Sequence, residues 1–169
     1  MGIKADRLSI RVTNPHERLR DLGITLPSAP APAASYVQTR LAPINDARAL
    51  LYVAGQVSRE GDTLLTGRCP DEVSVEEASR RARLCALSVL AQIEAGAGLD
   101  RVEGMLQVIG FVRSADGFGD QPKVLNGASD LLVDVLGEAG RHTRAALGTN
   151  ALPFGVTVEI AAVAIVRTG

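Results

Sequence analysis

The chain has 169 residues, of which 46% are hydrophobic and 22% are charged, a composition typical of one globular domain with a core. Its 18 basic and 19 acidic residues leave a net charge of −1, which excludes a field strong enough to gather nucleic acid or an anionic membrane. Aromatic residues make up only 3% and Trp is absent, which disfavours a stacking platform for single-stranded nucleic acid.

The chain begins with an N-terminal extension, which we predict to span residues 1–32 and to precede an α+β domain at residues 33–169. Asn14-Pro15 has the pattern of an N-cap followed by Pro at the first helical position, so a short helix is predicted over residues 16–22. Residues 26–34 are rich in Pro and Ala without periodicity and predict an extended connector.

Two strands are predicted next, at residues 36–41 and 49–57, with Asn45-Asp46 as the turn of a hairpin. Ser74 and Glu77 then form a capping box, which predicts the start of a long helix. The apolar face of that helix continues through Ala78, Ala82, Cys85, Ala86, Val89, Leu90 and Ile93. A second long helix is predicted from Asp120-Gln121-Pro122 to Gly137 or Gly140, and further strands at residues 104–113, 143–147 and 156–166.

This order of elements predicts an α+β fold, a mixed β-sheet with two long helices packed on one face. The last strand, residues 156–166, is apolar on both of its faces rather than alternating. A strand buried on both faces in so small a protein implies a partner surface, so we expect an oligomer.

Common catalytic motifs are absent: the sequence has no GxxxxGK[ST], HExxH, GxSxG or CxxC. His16 and His142 are the only histidines, which excludes a His-rich metal site. Cys69 and Cys85 form no metal motif and are interpreted as reduced thiols. No secretory signal is recognisable and no apolar run reaches the roughly 18 residues that span a bilayer, so we expect a soluble, cytoplasmic protein without membrane contact.

Two charged residues lie in apolar surroundings. Glu159 is embedded in VTVEIAAV, where a carboxylate must be paired, exposed at a site or protonated, unless it faces solvent on an edge strand. Arg144 precedes the apolar run AALG, and its planar guanidinium suits bidentate capture of a carboxylate. The alternative for Arg144 is an ordinary intramolecular ion pair with a glutamate.

The C-terminal segment, residues 140–163, carries a three-part pattern. Arg144 is followed by Leu152-Pro153 and then by Glu159, which is flanked by apolar residues. Upstream, Tyr36-Val37-Gln38 follows a Pro/Ala-rich approach, LYVAGQ spans residues 51–56, and Asn126 lies in the second long helix. In this order and spacing, residues from about 33 to 167 resemble the reactive intermediate deaminases of the RidA/YjgF family, also called endoribonuclease L-PSP-like.

That resemblance implies a chorismate-mutase-like fold and a homotrimer with three intersubunit clefts. It implies hydrolysis of imines or enamines, such as 2-aminoacrylate, to 2-oxo acids and ammonia, with neither metal nor cofactor. Arg144 and Glu159 are then the catalytic residues: Arg144 binds the substrate carboxylate and Glu159 orients the attacking water. Tyr36 and the backbone near Gly55 close the substrate pocket, and Asn126 braces it from the second long helix.

The sequence leaves two other functions open. The first is a non-catalytic trimer that binds small carboxylates as a metabolite sensor. The second is ribonuclease activity or translation inhibition, a function attached to some relatives, which the balanced charge and the scarcity of His and aromatic residues disfavour. Ala54, Ala146 and Gly148 depart from the residues common in the family, so the pocket lining differs and the substrate is not specified.

Overall fold

A computed structural model describes residues 14–32 and 34–169 of the chain. The predicted N-terminal extension therefore lies partly outside the described residues, which begin at Asn14 and omit position 33.

Three α-helices occur among the described residues: α1 (Pro15–Asp21), α2 (Val75–Gly96) and α3 (Gln121–Leu136). The predicted caps are confirmed at α1 and α2, because the side chain of Asn14 accepts a hydrogen bond from the backbone N–H of His16 and that of Ser74 from the N–H of Glu77. At the end of α3, Gly137 has a φ of 62°, a conformation that glycine adopts without a steric penalty.

The strands are β1 (Thr39–Asn45), β2 (Arg48–Val57), β3 (Arg59–Glu60), β4 (Thr63–Leu64), β5 (Val102–Arg113), β6 (Thr143–Thr149) and β7 (Val158–Arg167). The predicted hairpin is confirmed as the antiparallel pair β1–β2. The first strand was predicted to start at residue 36, which is wrong: the ladder starts with Thr39 opposite Val53, so Tyr36 lies before the strand. The small β3–β4 hairpin was not predicted, although its polar turn is evident in the sequence.

The main sheet has five strands in the order β1-β2-β7-β5-β6. Strands β5 and β6 are parallel and are joined through α3, while the other neighbours are antiparallel. Helix α2 packs against β2 and β7, α3 packs against β5 and β6, and the two helices pack against each other. The prediction of a mixed sheet with both long helices on one face is confirmed.

The two faces of β7 differ in how well they are covered. Val158, Ile160, Ala164 and their neighbours on the helix-covered face are buried in the core, whereas the alternate residues are only partly covered. The uncovered side, here called the open face, carries Leu50, Tyr52, Ile109, Phe111, Ala161, Val163 and Ile165. The expected apolar character of both faces is therefore present, and the described residues cover the open face only in part.

The described part of the extension is packed onto the domain. Helix α1 contacts α3, and Leu19 joins the hydrophobic core with 6% of its surface exposed. The connector is fixed at one point, where the side-chain amide of Gln92 donates a 2.7 Å hydrogen bond to the carbonyl of Pro30. The boundary between the N-terminal extension and the α+β domain at residue 32 stays a prediction.

A close approach of α2 and α3 leads to a stability prediction. A Cβ at Gly127 would run into the backbone carbonyl oxygen of Ser79 on α2. Although Ala favours helices over Gly, the Gly127→Ala variant is expected to lose about 1–3 kcal/mol of unfolding free energy because the helices must separate. Urea unfolding followed by circular dichroism measures this loss. Gly119→Ala is the control, since its Cβ would meet open space, and equal stability of the two variants would contradict the close approach.

Candidate functional site

Glu159 lies on β7, the central strand of the sheet, and pairs with Val57 on one side and Phe111 on the other. Its chain neighbours Val158 and Ile160 are fully buried beneath the helices, so its side chain points to the open face. The alternative of a glutamate on an edge strand is therefore wrong.

The Glu159 carboxylate lies over a β-bulge in β2. Val53 pairs with Ala162 and Gln56 with Ile160, so two residues of β2, Ala54 and Gly55, oppose a single residue of β7. A Cβ at Gly55 would run into Glu159 Oε1, so the carboxylate occupies space that any other residue would fill. The structure thus brings together the predicted site residues Gly55 and Glu159.

Partial burial changes the chemistry of this carboxyl group. Desolvation raises the pKa of Glu159 above the ordinary glutamate value, because an apolar surrounding disfavours the charged form. The described residues supply it with no ion-pair partner. A carboxyl with a raised pKa can exchange protons nearer to neutral pH than an ordinary glutamate can.

Arg144 lies on β6, at the edge of the sheet, and pairs with Val108. Its Nη1 donates to Asn126 Oδ1 and to Ser129 Oγ, both at 3.1 Å, and its Nη2 donates to the carbonyl of Pro122 at 3.3 Å. All three acceptors belong to α3 and none is a carboxylate. The alternative of an intramolecular ion pair is therefore wrong for the described chain. Asn126, which was predicted to brace the pocket, contacts Arg144 directly.

These bonds leave part of the Arg144 guanidinium available. A guanidinium has five N–H donors, and the contacts with α3 use both hydrogens on Nη1 and one on Nη2. Nε–H and the second Nη2–H have no acceptor among the described residues, and the Arg144 residue is exposed. Two neighbouring N–H groups on a planar cation match the two oxygens of a carboxylate.

Sequence reasoning did not identify two residues that adjoin Arg144. Ser129 Oγ lies 3.0 Å from Nε2 of His142, and Nδ1 of His142 lies 2.6 Å from the carbonyl oxygen of Gly140. One signal was present, because Asn126 and Ser129 are three residues apart and therefore share a face of α3.

One chain does not bring Arg144 and Glu159 together. Arg144 is level with Val108 on β5 and so with Ala162 on β7, both of which face the helices. Glu159 is three residues away along β7, on the open face, so the two Cα atoms are about 14 Å apart across the sheet. The predicted site residues therefore lie in two separate groups, which are the Arg144 half of the predicted site, Arg144 with Asn126, and the Glu159 half, Glu159 with Gly55.

Tyr36 lies before β1 and is 44% exposed. Two residues later, the backbone carbonyl of Gln38 accepts a 2.9 Å hydrogen bond from the N–H of Ala54, which belongs to the bulge in β2. The segment that precedes β1 therefore runs beside Gly55 and Glu159. Tyr36 was predicted to close the substrate pocket there.

Two cavities lie away from the predicted site residues. A cleft of about 820 Å³ is lined by α1, α3 and the start of β5, and none of the predicted site residues lines it. A second cavity, of about 320 Å³, lies beside β6 and is lined by Gly148, Ser114 and Gln121. Gly148 lets these polar side chains approach the strand, because a Cβ there would lie 2.6 Å from Gln121 Nε2 and 2.7 Å from Ser114 Oγ. The candidate site is therefore defined by its hydrogen-bonding groups rather than by either of these cavities.

Both cysteine thiols lie inside the protein. Cys69 and Cys85 are both free and buried, and burial raises the pKa of each thiol. In residues 14–32 and 34–169, no group of three or more His, Cys, Asp or Glu side chains is placed to hold a metal ion. No helix in this part of the chain is long and apolar enough to cross a membrane.

The chain is thus an α+β protein with a helix-covered mixed sheet, a guanidinium at the edge of that sheet and a partly buried carboxylate on its open face. A family model described as "YjgF/chorismate_mutase-like, putative endoribonuclease" matches residues 16–164. The chain belongs to this family, which confirms the resemblance noted in the sequence and the chorismate-mutase-like fold.

Individual relatives agree with this assignment. Protein TCP17 of Trypanosoma cruzi is 41% identical over 145 residues, which are 84% of this chain and 88% of that protein. The crystal structure of Atu1372 from Agrobacterium tumefaciens is also 41% identical, with a TM-score of 0.78 over 90% of this chain and 93% of that one. A crystal structure from Shewanella oneidensis, described as "a putative endoribonuclease", is 28% identical, with a TM-score of 0.81 over 90% of this chain and 99% of that one.

Proposed function

We propose that the protein hydrolyses reactive imine and enamine acids to 2-oxo acids and ammonia, in the cytoplasm, as a homotrimer with sites between subunits. The Arg144 guanidinium carries this proposal. It is held by α3 and keeps Nε–H and one Nη2–H available for a carboxylate. Every substrate of this class has a carboxylate beside the reacting carbon.

The proposed reaction requires little beyond positioning. Arg144 holds the substrate carboxylate while Glu159, in its carboxylate form, accepts a proton from water as the water oxygen bonds to the imine carbon. That proton is then delivered to the imine nitrogen, which gives a carbinolamine. The proton of its hydroxyl group passes to the amino nitrogen, the C–N bond breaks, and ammonia leaves as the carbonyl forms. Imines hydrolyse spontaneously, so orienting the water and the substrate is sufficient for a useful acceleration. The raised pKa of Glu159 suits this proton transfer.

The separation of Arg144 from Glu159 supports a site built from two chains. The open face exposes apolar side chains, including Tyr52 at 47%, and a contiguous apolar surface of this kind favours association. We propose that a neighbouring subunit covers the open face and brings its own Arg144 near Glu159. Tyr36 and Asn126 would line the same cleft from opposite sides.

A non-catalytic carboxylate binder is the second candidate, and one observation favours it. The Arg144 half of the site has its donors in place without Glu159, so a 2-oxo acid can be held with no group positioned to activate water. Ribonuclease activity is the least favoured function, because the net charge of −1 supplies little attraction for the RNA backbone.

A coupled assay tests the proposed reaction. A pyridoxal-phosphate-dependent dehydratase generates 2-aminoacrylate from serine, and pyruvate is followed in the presence of a scavenger that competes for the intermediate. We expect the purified protein to release pyruvate faster than buffer alone, in proportion to its concentration. Pyruvate that raises the melting temperature of the protein while the release rate stays at the buffer value would favour the non-catalytic binder.

A further inference from the structure

A chain of hydrogen bonds lies behind Arg144. Its Nη1 is 3.1 Å from Ser129 Oγ, which is 3.0 Å from His142 Nε2, and His142 Nδ1 is 2.6 Å from the carbonyl oxygen of Gly140. The chain joins α3 to the residues that lead into β6 and ends on a backbone group that cannot rotate away.

The chemistry of each group fixes the direction of these bonds. A carbonyl oxygen only accepts, so Nδ1 of His142 carries a hydrogen and donates it to Gly140. A guanidinium only donates, so Ser129 Oγ accepts from Arg144. In neutral His142 the Nε2 atom is then an acceptor and takes the Ser129 hydroxyl hydrogen. The hydrogen of Ser129 is thus directed away from Arg144, and a lone pair of its oxygen faces the guanidinium.

We infer that Ser129 and His142 are positioning residues that hold Arg144 in its ligand-binding orientation. Ser129 and Asn126 together accept both hydrogens of Nη1, which fixes the end of a long and otherwise flexible side chain. The free Nε–H and Nη2–H are thereby held in one direction before a ligand arrives, and an orientation set in advance strengthens binding. This inference rests on the proposed function for the identity of the ligand, a small 2-oxo or 2-imino acid.

The positioning role of Ser129 and His142 can be tested without disturbing the fold. Neither Ser129 nor His142 belongs to the buried core. Ala is also the best helix former, so Ser129→Ala leaves α3 intact. Substitutions at both positions are therefore expected to change ligand affinity while the melting temperature stays close to that of the wild type.

Pyruvate binding to the full-length protein, measured by isothermal titration calorimetry, tests the inference. Ser129→Ala is expected to raise the Kd for pyruvate about tenfold, the effect of losing one charge-assisted hydrogen bond. His142→Phe is expected to raise it by a smaller factor, and His142→Gln, whose amide oxygen can accept from Ser129, is expected to restore it. In the imine assay KM should rise with kcat unchanged, because a carboxylate anchor acts equally on substrate and transition state.

A matched control separates this effect from a general change of surface charge. Arg141 adjoins His142 in the chain and pairs with Glu138, with 70% of its side chain exposed, so Arg141→Ala should bind pyruvate as the wild type does. If Arg144→Ala abolishes binding while Ser129→Ala and His142→Phe match the wild type, the positioning role is overturned. If Arg144→Ala also leaves the Kd unchanged, the proposed function itself fails. Should Ser129→Ala not fold, the His142→Phe and His142→Gln pair decides the question.

Discussion

Replacing Arg144 by Ala is expected to weaken pyruvate binding about a thousandfold and to lower kcat/KM for imine hydrolysis by a similar factor. The substitution removes two hydrogen bonds between a cation and a carboxylate, each of which contributes about 1.5–3 kcal/mol. Calorimetry and the coupled assay measure the two effects independently. The fold should survive, because Arg144 is exposed on an edge strand and its bonds to α3 lie outside the core.

Two further variants test whether the shape of the guanidinium matters. Arg144→Lys keeps the charge without the planar pair of donors, so an affinity between those of the wild type and the Ala variant is expected. Lys123 is a nearby cation on α3 with 68% of its side chain exposed, and Lys123→Ala should have little effect. An equal loss in the Lys123 variant would mean that general charge, rather than a carboxylate grip, attracts the ligand.

Replacing Glu159 by Gln is expected to lower kcat by about a hundredfold or more while the Kd for pyruvate changes little, since the amide cannot accept a proton from water. In the wild-type protein, kcat should fall as acid protonates the carboxyl group. Because desolvation raises the pKa of Glu159, this fall begins at a higher pH than for an ordinary glutamate. Measuring kcat as a function of pH shows this fall directly. The Gln variant should not show it, because its side chain has no carboxyl group to protonate.

The same pKa shift predicts a change in stability. A carboxyl with a raised folded-state pKa holds its proton more tightly in the folded than in the unfolded protein, so stability falls as pH rises from the unfolded pKa through the folded one. Glu159→Gln removes this dependence and should be more stable than the wild type above that range. Urea unfolding of both proteins at pH values below and above that range provides the measurement. A Gln variant that is less stable at neutral pH would contradict burial as the cause.

Mixing the two inactive variants provides a control for assembly. In a trimer whose clefts take Arg144 from one chain and Glu159 from the next, every mixed trimer of Arg144→Ala and Glu159→Gln chains contains one intact cleft. Refolding the two variants together should therefore restore part of the activity. A mixture as inactive as its components would mean that the two residues do not act across a subunit boundary.

The helices were predictable because their signals are local. Ser74 caps α2 within a few residues of the apolar face that follows, and Gly137 ends α3 at the position where a positive φ is needed. The start of β1 was not predictable, because it depends on a partner strand. The regular ladder with β2 ends at Thr39 and Val53, next to the bulge, and nothing in the alternation of residues 36–41 reveals that interruption.

The site residues show the same contrast between local signals and contacts that depend on distant parts of the chain. Arg144, Asn126, Gly55 and Glu159 were recognisable as residue types in a family pattern, but the face of the sheet on which each lies depends on strand register. Ser129 and His142 are 13 positions apart and meet only because α3 returns the chain to the start of β6. Such a contact depends on how a helix packs, which the sequence of neither segment expresses.

The β-bulge at Ala54 and Gly55 bears on when the protein becomes able to bind and hydrolyse its substrate. It leaves room for the Glu159 carboxylate on a face that a single chain covers only in part. Under the proposed trimer, a neighbouring subunit removes more water from this carboxylate and raises its pKa further, in the same step that delivers the partner's Arg144. Acid–base strength and substrate affinity would then be properties of the assembly, and a newly made chain would stay inert until it meets its copies.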